Sequence, residues 1–143
     1  MDRIIRDRSK EYSITEQDIK EVEERFGIHF PEILKQFYLE HSGAKIKYCR
    51  LKINDEDFYV EGLYYIKDPT VELEKVMQWD RDDGYIPNNM VLLAYDEGRE
   101  RYYWDINDES VYFFDGADLD NPIFICKTIC KFFDLLINAE ECD

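Results

Sequence analysis

The chain has 143 residues, 45% of them hydrophobic and 15% aromatic, and its 18 Lys and Arg against 33 Asp and Glu leave a net charge of −15. That length suits one domain, residues 1–143, built on one core, and so high an aromatic share excludes a disordered chain. The charge repels phosphate, which excludes nucleic acid and an anionic membrane as partners and leaves a basic protein or simple solubility.

Residues 1–8 are basic and polar, with no long apolar region after them, so no signal peptide is expected. No run approaches the roughly 20 apolar residues of a membrane span, and a cytoplasmic location is the expectation. Cys49, Cys126, Cys130 and Cys142 form no CxxC pair, and both histidines lie far from them. Zinc ligands come in close pairs, so no metal is expected and the thiols read as buried and free.

The first element is a helix. Thr15 is suited to cap it, with Asp18 reaching back and Ile14 stapled to Ile19. Ile19, Val22 and Phe26 share one face, and Gly27 ends the helix in the left-handed conformation. Pro31 suits the first position of a second helix, whose stripe is Leu34, Phe37 and Tyr38. Ser42 and Gly43 stop it. Residues 48–53 and 58–66, rich in β-branched and aromatic side chains, read as a hairpin around the polar turn 54–57. Asp68, Pro69 and Thr70 open a short helix carrying Val71, Leu73, Val76 and Met77, which runs out at the acidic segment 80–84. Residues 90–95 are a near-continuous apolar run, hence a central strand buried on both faces. Strands over 101–106 and 111–115 follow, with tight turns at 96–98 and 107–109, giving an antiparallel meander. A loop over 116–122 leads to a last helix. Thr128 caps it, and Ile129, Phe132, Phe133, Leu136 and Ile137 form its buried face. Helices, then strands, then a helix define an α+β fold with a central antiparallel sheet.

No GxSxG, Walker loop or HExxH occurs, and His29 and His41 have no nucleophile motif beside them, so the chain reads as no enzyme. The acidic segments miss the calcium-loop register, since the residue six beyond Gly84 is Met90. No pattern selects a carboxylate pair for glycoside hydrolysis. No cofactor is implied. In the aromatic strands, Tyr102, Trp104 and Ile106 share one face, and Tyr103 and Asp105 the other. Either both faces are core, or one displays aromatics as a protein-binding surface.

Several segments resemble the SUKH superfamily, which contains fungal cell-wall assembly and glucan-synthesis regulators and many bacterial immunity proteins. Gly27, the run from Phe30 and Pro31 to Phe37, and Ser42 with Gly43 are similar to its opening, with Ser42 in place of the usual Asn. Tyr85, Ile86 and Pro87 before strand 90–95 are similar to its central signature. Trp104 with Asp105, Val111 with Tyr112, and the Phe-rich last helix match its end. Only Gly98 stands where a Gly-Gly turn is frequent. The resemblance spans residues 14–137. It implies an α+β protein-binding domain that neutralises a toxin, often a nuclease; the alternative is a regulator of cell-wall or glucan synthesis acting through protein contacts. The charge fits a basic toxin domain as partner. The family carries over no functional residues. From local charge and the expected loops, the candidate binding surface is Asp80, Asp82, Asp83 and Tyr85, with Tyr112, Asp115, Asp118 and Asp120.

Overall fold

The computed structural model describes residues 2–142. Among them are four α-helices and three sheets, all antiparallel, so the class is α+β.

Helix α1 spans Glu16–Phe26. Its start is fixed reciprocally: the Asp18 N–H donates to Thr15 Oγ1 at 3.1 Å, and the Thr15 N–H donates to Asp18 Oδ2 at 2.9 Å. Gly27 closes it at φ 67°. Helix α2 is Glu32–His41; Pro31 stands just outside it as the cap, one place earlier than the sequence suggests. Leu34, Phe37 and Tyr38 are buried as expected. At the far end the Ser42 hydroxyl donates to the Tyr38 carbonyl at 2.6 Å. Gly43 follows at φ 87°, where a Cβ would strike the Lys10 carbonyl and the Tyr12 ring.

Strands β1 (Ile5–Asp7) and β2 (Lys45–Ile46) pair, and β3 (Cys49–Ile53) and β4 (Glu56–Val60) form the expected hairpin. Its turn is tighter than residues 54–57. Asn54 and Asp55 alone connect the strands, both at positive φ, as two-residue hairpin turns require. The run 58–66 is not one strand. The chain leaves the hairpin after Val60, and β5 (Gly62–Leu63) joins another sheet beside β6 (Met90–Tyr95). Gly62 permits the crossing, since a Cβ there would fall on the Tyr95 hydroxyl.

Helix α3 is Leu73–Asp82; it starts later than the sequence suggests and ends, as expected, within the acidic segment 80–84. Asp68 accepts the Thr70 N–H at 2.8 Å in a turn instead of starting the helix, and Val71 is left exposed. The meander follows as expected: β6, β7 (Arg101–Asp105) and β8 (Val111–Phe114). A strand that the sequence reading missed, β9 (Ile123–Cys126), comes before α4 (Ile129–Asn138). The large sheet therefore runs β5-β6-β7-β8-β9. Strand β10 (Glu140–Glu141) adds to β3.

Both faces of the large sheet are core. On one, Tyr102 packs on Phe113 and on Phe132 of α4, and Phe58 of the hairpin meets Phe113 at 5.5 Å. On the other, Tyr103 and Phe114 pack edge to face at 5.4 Å, with α3 above them. Tyr102 and Tyr103 are both fully buried. Of the two readings of the aromatic strands, the doubly covered one holds for β7, while on β8 Phe113 and Phe114 are buried and Tyr112 is partly exposed.

Candidate functional site

Helix α3 lays one face on the sheet. Leu73, Val76, Met77 and Asp80 occupy that face at helical spacing, and all are buried. Asp80 is thus not in a solvated loop. Its side chain is 4% exposed, meets Arg101 Nε at 2.6 Å and accepts the Tyr103 hydroxyl hydrogen bond. Burial raises its pKa, while the Tyr103 hydroxyl and Arg101 pull it back. Its charge is spent inside the protein.

Asp82 and Asp83 lie on the last turn and cap of α3 and are exposed. Asp82 accepts from the Gln78 side chain at 2.8 Å. The chain reverses at Gly84, and the Tyr85 N–H donates to the Asp80 carbonyl at 2.8 Å. Tyr85 then stands 50% exposed. Facing it is the segment after β8. The carboxylate of Glu100 accepts the Gly116 N–H at 2.6 Å and fastens this segment to the start of β7. Asp115 accepts the Ala117 N–H at 2.9 Å, and Asp118 accepts from the Asn121 side chain at 2.9 Å. Asp115, Asp118 and Asp120 are all exposed.

The two acidic segments border one crevice of about 170 Å³. Tyr85 and Ile86 line it from the α3 side, Gly116 and Leu119 from the other. Asp80, Arg101, Tyr103 and Phe114 also line it. The crevice is the size of one long side chain, with an apolar wall, a neutralised ion pair and the Glu100 carboxylate in its lining, and the exposed Asp82, Asp83, Asp115, Asp118 and Asp120 belong to the two segments that border it. Tyr112 is not among its lining residues. It points to the same face of the sheet but nearer the edge, where its hydroxyl donates to Asp108 at 2.6 Å and its ring meets Phe124 at 6.0 Å.

Sequence reasoning missed Glu100, Arg101, Leu119 and Phe124. The signal for Arg101 was available, since it stands two residues from Tyr103 and so shares its face. A larger depression of about 620 Å³ lies between α1 and α2. There Lys20 and Lys35 interleave with Glu16, Glu23 and Glu32, so it offers no single sign of charge. Among the described residues, no three His, Cys, Asp or Glu gather as a metal would need, and no helix is long and apolar enough to cross a membrane.

A model of the SMI1 / KNR4 family (SUKH-1) matches residues 13–135. The chain belongs to that family. The match runs from the cap of α1 into α4, and so takes in the whole large sheet. No curated protein matches the chain. SUKH membership supports a protein-interaction or immunity-type role in general. The SUKH-like residues are structural in this chain: Ser42 and Gly43 end a helix, and Ile86 is buried beneath the turn that Pro87 begins. Tyr85 and Ile86 of that set also line the crevice, whereas Asp82, Asp83 and the segment 115–120 lie outside the set.

Proposed function

We propose that this chain is an immunity-type protein that binds and neutralises a basic, nuclease-type toxin domain in the cytoplasm, without chemistry of its own. The observation that carries this reading is the crevice. Two acidic segments more than thirty positions apart in sequence border one concave site, and an exposed Tyr85 stands at its lip. Interfaces favour such an arrangement: a partly apolar pocket takes an anchor, a large aromatic flanks it, and the rim charges choose the partner. A nuclease surface is basic because it attracts polyanions, which makes it the complement of a chain of net charge −15.

Co-purification from the cell of origin, followed by identification of the captured protein, tests this. The expected partner is a basic toxin domain whose activity falls when this chain is added. Capture should be lost in the variant Asp82→Lys with Asp118→Lys at unchanged melting temperature. A captured protein that is not a toxin, or a toxin bound equally well by the folded variant, overturns the assignment.

A further inference from the structure

The lining of the crevice divides into an apolar part, with Tyr85, Ile86, Phe114 and Leu119, and a charged part, Asp80, Arg101 and Glu100. Asp80 and Arg101 cancel, so Glu100 leaves the lining one negative charge. Each carboxylate has one oxygen already engaged. On Asp80, the Tyr103 hydroxyl and Arg101 Nε both meet Oδ2. On Glu100, Oε2 accepts the Gly116 N–H at 2.6 Å. Among the described residues no hydrogen bond reaches Asp80 Oδ1 or Glu100 Oε1. The Asp80 side chain is 4% exposed, which leaves little room for water to serve it, and a buried acceptor without a partner is costly. Arg101 turns its other end away, where Nη1 donates to the Arg99 carbonyl at 2.8 Å.

We propose that the crevice receives a lysine side chain of the basic partner, its methylene stem along Ile86, Phe114 and Leu119 and its ammonium at Asp80 Oδ1 and Glu100 Oε1. This rests on the reading of the crevice as the contact surface. A lysine stem lies readily on an apolar wall while its charged head seeks oxygen. The ammonium is a point charge with three donors, so it can take one oxygen from each of two carboxylates. Arginine fits less well. Its planar fork favours both oxygens of a single carboxylate, and neither Asp80 nor Glu100 has both to give. The volume of about 170 Å³ suits one such side chain. The exposed carboxylates of the two bordering segments raise the local concentration of cations and bring the lysine to the opening.

The blocked amino acid Nα-acetyl-lysine methylamide, titrated to about 100 mM into the isotope-labelled chain at constant ionic strength, tests this by NMR. The lysine probe should shift the backbone amides of Tyr85, Gly116 and Leu119 saturably, with a dissociation constant below about 50 mM. The norleucine counterpart, which has a stem without the charge, and the arginine counterpart should each bind at least about fivefold more weakly. Glu100→Gln keeps an oxygen for the Gly116 N–H but loses the charge, and should weaken the lysine probe by at least about fivefold. Leu119→Trp, which fills the crevice and leaves the charges in place, should abolish the shifts and stands in if Glu100→Gln does not fold. No saturation over that range, equal binding of the norleucine or arginine probe, or an unchanged affinity in either folded variant overturns the proposal. The contact surface is tested apart from it: loss of partner capture in Asp82→Lys with Asp118→Lys upholds the surface even where the lysine probe fails.

Discussion

Asp80 and Arg101 meet at 2.6 Å on the floor of the crevice, and the Tyr103 hydroxyl donates to the same carboxylate. The triad joins α3 to β7. Removing one member leaves the others buried without their partner. Breaking a buried pair costs about 3–5 kcal/mol, and the Arg101 side chain, 29% exposed, recovers part of that through water. Asp80→Ala should therefore destabilise the fold by about 2–4 kcal/mol. Asp82→Ala, two residues away and exposed, should stay within about 0.5 kcal/mol. Urea unfolding of both variants checks this, and equal losses would mean that Asp80 is a surface residue.

Phe37 lies where α2 meets α4. Its ring packs on Phe133 at 5.3 Å and stacks parallel to Tyr65 at 6.4 Å, and it is 2% exposed. Phe37→Ala should cost about 3–5 kcal/mol, the range for deleting a buried ring. A loss below about 1 kcal/mol in denaturant unfolding would show that α2 turns another face inward.

Glu74 is buried on α3, where its carboxylate accepts the Lys67 N–H at 3.1 and 3.2 Å. Burial, aided by the neighbouring Glu72 carboxyl, pushes its pKa from 4.5 up to about 7. The folded group keeps its proton to higher pH than the unfolded one. Its contribution is whole below about pH 4.5 and is lost as pH rises through about 7. Glu74→Gln should flatten that part of the stability profile and gain most over wild type above pH 7. Melting temperatures at a series of pH values decide it, and parallel profiles for the two proteins would refute the assignment.

Association with the co-purified partner should slow as salt rises, and it should slow further in Asp82→Lys with Asp118→Lys, because rim charges act mainly on encounter. Tyr85→Ala should instead speed dissociation, since a half-exposed aromatic at the lip acts once the surfaces have docked. Stopped-flow or surface-binding kinetics separate the two effects. An unchanged association rate in the folded double variant removes these segments from the interface.

Local signals marked the helices well. The Thr15 and Asp18 cap, Gly27 and the Thr128 cap each act within a few residues, and all three hold. The meander was legible because tight polar turns separate its strands. What failed depends on distant partners. Val60 and Leu63 sit in one apolar run, and only the pairing of Leu63 with Ala94 shows that the chain has changed sheets. Strand β9 is four residues whose register comes from β8. Strands β1, β2 and β10 are two or three residues long and leave no period to detect. Asp80 was hidden by its neighbours. Charge density suggested a solvated loop, yet the spacing from Leu73 through Val76 and Met77 already set Asp80 on the inner face. The pairing of the two acidic segments across one crevice required the sheet itself.

Helix α4 completes packing begun almost a hundred residues earlier, since Phe133 meets Phe37 and Phe132 meets Tyr102. During synthesis, then, α1, α2 and most of the sheet leave the ribosome before the lid of their core exists. A nascent chain stalled before Ile129 presents Phe37 and Tyr102 without their α4 partners, the kind of apolar surface that chaperones hold and dyes such as ANS report. The rate at which residues 129–138 emerge and dock, not the early helices, sets how long that exposure lasts.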